Sequence, residues 1–208
     1  MKEMIKNAAI LFAITLVAGC LLGLVNEVTK DPIAEQQLKA KNEACKNVFQ
    51  DAERFEVIST SPDLAPEELT GMLSEQGYDV SLDEIAAALD GSGTCLGYVV
   101  TVTDHEGYGG DIQFSVGVRN EGIVNGISIL KISETAGLGM RAETDLKPQF
   151  ENKPVTTFTY TKTGAASDSE IDAISGATIT TNAVVNGVNA ALTVYENALA
   201  GQGGASNE

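Results

Sequence analysis

The turn that decides the fold of this chain reads Asp172-Ala173-Ile174-Ser175-Gly176-Ala177-Thr178-Ile179-Thr180-Thr181. After this turn, apolar residues recur at the spacing of an α-helix, at Val184, Val185, Val188, Ala191, Leu192, Tyr195 and Leu199. Thr178 is therefore predicted to lie at or just before a helix N-terminus. There, free backbone N–H groups and the helix dipole favour an anion.

Two interpretations of this turn follow from its residues. Gly176 and Ala177 carry almost no side chain, so a phosphorylated ligand can approach the backbone closely. In the other interpretation, Ser175 or Thr178 is an ordinary helix cap that accepts a hydrogen bond from a backbone N–H. The residues of the turn alone leave both interpretations open.

Three short motifs, taken in order, resemble those of one known family. Asp172 followed by S-G-A-T at 175–178 resembles the flavinylation motif of the FMN-binding domain in Rnf-type and Nqr-type redox complexes. Residues 134–139 read E-T-A-G-L-G and resemble a second motif of that family, usually E-T-P-G-L-G. Tyr108-Gly109-Gly110 resembles a third motif, a turn between strands. The chain as a whole resembles the G subunit of Rnf-type complexes, which is related to the C subunit of the Nqr complex.

The resemblance implies a cofactor and the residues that hold it. FMN would be joined through its phosphate to the hydroxyl of Thr178, and a separate flavin transferase would make that bond. The remaining cofactor-binding residues implied by the motifs are Ser175, Gly176, Ala177, Thr180, Glu134, Thr135, Gly137 and Leu138. The chain departs from the family pattern at Ala136, where proline is usual, and at Ile132, where histidine is expected.

The resemblance also implies a function and partners. The complex would couple electron transfer between ferredoxin and NAD to translocation of Na⁺ or H⁺, and subunits A, B, C, D and E would be the partners. This chain would relay electrons between a membrane-embedded iron–sulfur centre and another subunit's flavin, with no independent catalysis. Two other classes remain open, namely a stand-alone extracytoplasmic flavoprotein or reductase lipoprotein, and a non-redox binding module.

Residues 8–25 form an uncharged run that predicts a transmembrane helix. Lys2 and Lys6 precede it, so the N-terminus is predicted to be cytoplasmic and the rest of the chain extracytoplasmic, in a single-pass topology at the cell membrane. A cleaved signal peptide is the alternative, since residues 17–20 resemble a lipobox ending in Cys20. The apolar run continues past Cys20, which favours the uncleaved helix.

The remaining pattern predicts an α+β fold in which an FMN-binding domain with an antiparallel sheet and flanking helices follows the transmembrane helix. The predicted divisions are 1–27 for the cytoplasmic N-terminus and transmembrane helix, 28–50 for a helical stalk restarted at Asp31-Pro32, 51–200 for the domain, and 201–208 for a disordered tail. Within the domain, residues 59–93 are predicted to be an acidic helical insertion with helices over 66–76 and 81–89. Strands are predicted from residue 94 onward, including 123–132 and 155–162, with a short helix over 140–150.

Composition excludes several classes of function. A formal net charge of −16 argues against nucleic acid and against an anionic membrane surface as partners. With a single histidine, His105, a serine or cysteine hydrolase is poorly supported. The three cysteines show no C-x-x-C spacing, so no metal or iron–sulfur site is expected, while pairing of Cys45 with Cys95 stays open. A bound cofactor must therefore carry the chemistry.

Overall fold

A computed structural model describes residues 1–201, except for the side chain of Asp63. Of the predicted disordered tail only Gly201 is described, and the rest lies outside the described residues. The chain divides into two compact units, the first spanning Met1–Lys41 and the second beginning at Asn42. The predicted α+β class is confirmed, with an apolar N-terminal helix followed by a sheet and helices.

Helix α1 (Lys2–Val48) is one uninterrupted helix of 47 residues. It contains an 18-residue window with a mean hydropathy of 2.6, of which 0% is buried, and so is long and apolar enough to cross a membrane. The predicted restart at Pro32 is wrong, because Pro32 lies inside the helix. Proline's fixed φ is compatible with a helix, and its cost is mainly the lost hydrogen bond and a local clash.

The second unit is built on a five-stranded antiparallel sheet whose spatial order equals its chain order. Its strands are β1 (Arg54–Val57), β2 (Val80–Leu89), β3 (Cys95–Asp104), β4 (Ile112–Arg119) and β5 (Val124–Lys131). The meander predicted from residue 94 onward is confirmed in β3, β4 and β5. Alternation of apolar and polar residues gave a reliable signal here because each strand presents a face to the core.

The predicted helix over residues 81–89 is wrong, and so is the acidic helical insertion that contained it. These residues lie in β2, an inner strand that pairs with β1 and β3. An irregularity in the pairing between Leu82 and Glu84 breaks the alternation, and the alanine-rich end of the strand is buried toward both faces. High intrinsic helix propensity of alanine was outweighed by this packing. The helix predicted over 66–76 is confirmed as α2 (Pro66–Glu75).

One face of the sheet carries the main hydrophobic core, to which α2 and α3 (Thr178–Val194) contribute. The opposite face is covered by the last turn of α1, where Cys45, Val48 and Phe49 form a second cluster with sheet residues. The compact unit therefore begins at Asn42, before the predicted boundary at residue 51. Cys95 packs against the main core, so the sheet separates the Cys45 and Cys95 thiols.

Between β5 and α3 the chain is mostly irregular. Three short helical segments follow one another, Gly139–Arg141, Ala142–Leu146 and Lys147–Phe150, where one short helix was predicted. The strand predicted over 155–162 is shorter, since β6 spans Thr159–Thr161 and pairs in parallel with β7 (Glu170–Asp172). β7 delivers the chain into the turn before α3, and a π-helical turn, Tyr195–Leu199, extends that helix.

Candidate functional site

A cavity of about 500 Å³ opens where the loop after β5 meets the turn before α3. Its volume lies within the range of small-molecule sites. The lining residues come from the β3–β4 loop, the loop after β5 and the start of α3. They are Tyr108, Glu134, Thr135, Leu138, Gly139, Gly176, Ala177, Thr178, Ile179 and Thr180.

The turn before α3 is held by backbone and hydroxyl contacts. The N–H of Ala177 donates to the carbonyl of Ile174 at 3.0 Å. The Thr181 hydroxyl, which is fully buried, accepts from the N–H of Ile174 at 3.1 Å and donates to the carbonyl of Ala177 at 3.0 Å. Gly176 has φ of +81°, a conformation that side chains with a Cβ adopt only with strain. These contacts fix Thr178 as the first residue of the helix.

The N-terminus of α3 faces the cavity without a side-chain cap. Ala177 occupies the N-cap position, and neither Ser175 nor Thr178 donates or accepts a capping bond there. The first intrahelical bond runs from the N–H of Thr181 to the carbonyl of Ala177, so the preceding N–H groups of the first turn have no helical partner. Such a helix end is suited to an anionic group.

The three threonines of the turn differ in access. Thr178 is partly exposed, whereas Thr180 and Thr181 have relative exposures of 1% and 0%. Thr178 and Thr180 line the cavity, but only Thr178 combines a position there with access from solvent. Of the three hydroxyls, that of Thr178 is therefore the one that another molecule can reach.

The opposite wall is the loop that follows β5. Glu134 is 9% exposed, and its Oε1 accepts a hydrogen bond from the N–H of Gly109 at 3.2 Å. Gly139 lies so close that an added Cβ would stand 2.6 Å from Glu134 Oε2 and 2.7 Å from Thr180 Oγ1. Glycine at 139 therefore allows the Glu134 loop to pack directly on the start of α3.

Apolar side chains surround the mouth of the cavity. Tyr108, Leu138 and Ile179 are exposed to 70%, 41% and 52%. Each comes from a different segment, and each lines the cavity. Apolar and aromatic walls with a few polar groups are the usual composition of cofactor sites, and they suit a planar aromatic ring.

Comparison with known proteins gives the cavity a context. A family model for the FMN-binding domain matches residues 107–193, a span that contains every residue lining the cavity. A second, for the RnfG N-terminal region, matches residues 1–48. The G subunit of the Na⁺-translocating ferredoxin:NAD⁺ oxidoreductase complex of Acetobacterium woodii is 33% identical over 94% of this chain and 93% of its own.

The chain belongs to the family of Rnf-complex G subunits. Two further members show comparable similarity. The G subunit of the ion-translocating oxidoreductase complex of Methanosarcina acetivorans is 32% identical over 92% of this chain and 94% of its own. The G subunit of the proton-translocating ferredoxin:NAD⁺ oxidoreductase complex of Clostridium ljungdahlii is 29% identical over 90% and 92%. Membership implies that the chain is an FMN-binding component of a complex that couples electron transfer to ion translocation.

Most residues predicted for the site of this Rnf-family chain lie together. Seven of them line the cavity: Glu134, Thr135, Leu138, Gly176, Ala177, Thr178 and Thr180. Ser175 is exposed beside it, and Gly137, with φ of +76°, shapes the turn without being among the lining residues. Tyr108, Gly139 and Ile179 line the cavity but were not predicted to do so. The Tyr108-Gly109-Gly110 motif was the available signal for the first of these.

The single histidine makes a contact chain away from the cavity. His105 Nε2 lies 2.8 Å from Ser81 Oγ, and Nδ1 lies 3.0 Å from Asp111 Oδ1. The hydrogen bond to Asp111 raises the pKa of His105 and lowers that of the carboxyl. None of the three residues lines the cavity, and His105 and Asp111 are exposed. The contact ties the β3–β4 loop to β2.

Proposed function

We propose that Thr178 carries FMN, joined through a phosphoester between its hydroxyl oxygen and the FMN phosphate, and that the chain thereby acts as a fixed electron carrier. The observation that supports this is the position of Thr178: its hydroxyl is accessible, borders a cavity of about 500 Å³, and stands at the first residue of an uncapped helix. The buried hydroxyls of Thr180 and Thr181 lack that access.

The residues present fit such a group. A phosphodiester keeps one negative charge, which the free N–H groups of the first turn of α3 would stabilise. Gly176 and Gly139 leave room at the backbone, since a Cβ on Gly139 would overlap Glu134 and Thr180. Tyr108, Leu138 and Ile179 would hold the ring of the flavin by apolar contact. When bound, FMN supplies the capacity to accept and release single electrons.

Attachment needs a second protein. A threonine hydroxyl is a weak nucleophile without an adjacent base. Among the cavity residues the only ionisable carboxylate is Glu134, whose Oε1 accepts from the N–H of Gly109. We therefore assign the reaction to a separate flavin transferase, in which the Thr178 oxygen would displace AMP from FAD and release the hydroxyl proton.

Topology and partners complete the proposal. Helix α1 would cross the membrane once, with Lys2 and Lys6 on the cytoplasmic side and the FMN-binding domain outside. Subunits A, B, C, D and E of the complex would be the partners. The chain would pass electrons between a membrane-embedded iron–sulfur centre and the flavin of another subunit, within electron transfer between ferredoxin and NAD. A covalent bond suits a carrier exposed to solvent, because dissociation cannot remove the cofactor.

The test is co-expression of the full-length chain with the transferase, followed by flavin fluorescence on a denaturing gel. Wild type and Ser175→Ala are expected to fluoresce, because Ser175 is an exposed hydroxyl of the same turn. Thr178→Val is expected to be dark but folded and membrane-bound. Thr180→Val is the second control and is expected to keep the flavin. Fluorescence in Thr178→Val with loss in a control would assign the bond to another residue.

Intact mass spectrometry of the same samples separates the competing functions. One FMN attached to an unprocessed chain supports the proposal. Loss of the residues before Cys20 would instead favour a stand-alone lipoprotein, since residues 17–20 resemble a lipobox. A wild-type chain without flavin in the presence of active transferase would favour a non-redox binding module. In membranes with the whole complex, Thr178→Val is expected to abolish ferredoxin-dependent NAD reduction.

A further inference from the structure

A carboxylate is enclosed at the end of β3, outside the cavity. Asp104 has a relative exposure of 0%, and its Oδ1 accepts a hydrogen bond from the N–H of Glu106 at 2.8 Å. Its Oδ2 is buried and has no hydrogen-bond partner among residues 1–201. Buried polar atoms without partners are rare in folded proteins, so a group of this kind calls for a physical explanation.

Helix α3 packs closely over this carboxyl. A Cβ added to Gly187 would lie 3.5 Å from Asp104 Cβ and 2.6 Å from Phe114 Cζ, so glycine at 187 brings the helix backbone near the acid. Gly187 follows Thr180 by seven residues on α3, about two turns and about 10 Å along the axis. Asp104 and the cavity therefore lie along one helix, within a distance over which charges interact in a protein.

The loop that begins at Asp104 reaches the cavity by a second route. Tyr108 of this loop lines the cavity, and the N–H of Gly109 donates to Glu134 Oε1 at 3.2 Å. A Cβ on Gly107 would lie 3.1 Å from the same oxygen. The bond from the Glu106 N–H to Asp104 fixes the start of this loop, and the bond from Gly109 fixes its far side.

The charged groups around Asp104 come from three elements. Glu106 and His105 belong to its own loop, Asp79 precedes β2, and α3 contributes the neutral Asn186, which donates to Glu106 Oε2 at 2.8 Å. Burial raises the pKa of Asp104 to about 7, opposed by the bond from the Glu106 N–H, with Glu106 and Asp79 adding to the rise and His105 opposing it. Near neutral pH the carboxyl is therefore divided between its protonated and ionised forms.

We propose that Asp104 is a proton-binding site linked to reduction of the flavin in the adjoining cavity. This inference rests on the proposed function. When a one-electron donor reduces the flavin, the added electron stays on the flavin and its negative charge favours the neutral form of Asp104. The Asp104 carboxylate then binds one proton from water at Oδ2, and it releases that proton to water when the electron leaves. No other bond forms or breaks.

The size of the linkage follows from the separation. One charge at about 10 Å, at an effective dielectric constant of about 20, changes proton affinity by roughly tenfold. The pKa of Asp104 is therefore expected to be about one unit higher with the flavin reduced. By reciprocity, the flavin potential is expected to fall with pH only through the interval between those two values.

The experiment follows the Asp104 carboxyl directly, by NMR of the full-length chain in detergent with ¹³C-labelled aspartate. The resonance is assigned as the one missing from Asp104→Asn and is titrated with the flavin oxidised and with the flavin reduced by dithionite. The flavin-free Thr178→Val chain receives the same two treatments. We expect a rise of about one pH unit on reduction in wild type and no change in Thr178→Val.

Potentiometry gives an independent reading of the same linkage. The pH dependence of the flavin potential is expected to break near pH 7 in wild type and in Asp79→Asn, whose carboxyl is exposed. Asp104→Asn is expected to lose the break. Equal Asp104 titrations in oxidised and reduced wild type, with covalent flavin present on the gel, would overturn this inference alone. Absence of covalent flavin from wild type would overturn the proposed function as well.

Discussion

The backbone N–H of Ile174 donates a hydrogen bond to the hydroxyl oxygen of Thr181, seven residues later, at 3.1 Å. Both residues are buried, and the same hydroxyl donates to the carbonyl of Ala177 at 3.0 Å. The turn before α3 is thus closed by a side chain of the helix that it introduces. Thr178 owes its place at the cavity to this closure.

Thr181→Val is expected to destabilise the domain by about 1–3 kcal/mol, because it leaves the buried N–H of Ile174 without an acceptor. The measurement is chemical denaturation of the purified chain. Thr193→Val is the matched control, since the Thr193 hydroxyl donates to the carbonyl four residues earlier but accepts from no backbone N–H that the structure describes. Its cost is expected to stay below about 1 kcal/mol. Equal costs for the two variants would show that the Ile174 bond contributes nothing.

Gly139→Ala tests the contact between the two walls of the cavity. The added Cβ would stand 2.6 Å from Glu134 Oε2 and 2.7 Å from Thr180 Oγ1, so Glu134 or the loop must move. We expect a loss of about 1–3 kcal/mol in the free energy of unfolding and an altered flavin absorbance spectrum.

Gly137→Ala is the control for the preceding variant. Its φ of +76° makes any Cβ costly, by about 1–2 kcal/mol, but no atom lies within 4 Å of the added group. Stability is expected to fall while the flavin spectrum stays unchanged. An altered spectrum in Gly137→Ala, with none in Gly139→Ala, would place the flavin contact on the other side of this loop.

The parts of the fold that the sequence predicted well are those with a local signal. In β4, alternating apolar residues from Ile112 to Val118 are all buried on one face, and the turn at residues 120–122 contains a glycine with φ of +78°. The parts it predicted badly depend on distant packing. Residues 85–89 have alanines that favour a helix, yet they are buried because α1 covers one face of the sheet and α2 and α3 contribute to the core on the other.

The candidate site shows the same division. Thr178 at a helix start follows from local spacing, whereas the approach of Glu134 to the start of α3 depends on Gly139 and on the path of the chain between them. Motif resemblance placed Glu134 and Thr178 in one site, which periodicity cannot do. It did not indicate the role of Thr181, because the partner of its hydroxyl is a backbone N–H and leaves no trace in residue type.

Sidedness gives a prediction in cells. A reporter enzyme active only outside the cytoplasm, fused after Glu208, is expected to be active, because Lys2 and Lys6 hold the N-terminus of the apolar helix inside. The matched control carries Lys2→Glu and Lys6→Glu in the same fusion and is expected to lower reporter activity. An inactive wild-type fusion paired with an active cytoplasmic reporter at the same site would reverse the orientation and the proposed electron path.

Asp104 gives a prediction of stability against pH. Burial raises its folded-state pKa to about 7, while the unfolded value is near about 3.9. The folded state therefore holds the proton more tightly, and the stability from this group is complete below about pH 4 and is lost as pH rises through about 7. Asp104→Asn has no proton to lose, so its stability relative to wild type is expected to rise by about 2–4 kcal/mol between about pH 4 and pH 8.

That difference is measured by denaturation of both full-length proteins across the pH range, in the flavin-free Thr178→Val background so that no cofactor charge contributes. Exposed carboxyls such as Asp90 and Asp111, whose pKa values are lowered by hydrogen bonds, act in the opposite direction but are common to both proteins and cancel. Asp79→Asn changes the same charge at an exposed position, and its difference from wild type is expected to stay flat within about 0.5 kcal/mol. A flat difference for Asp104→Asn as well would mean that the buried carboxyl titrates at its ordinary pKa, and Asp104 would then be fully ionised at neutral pH.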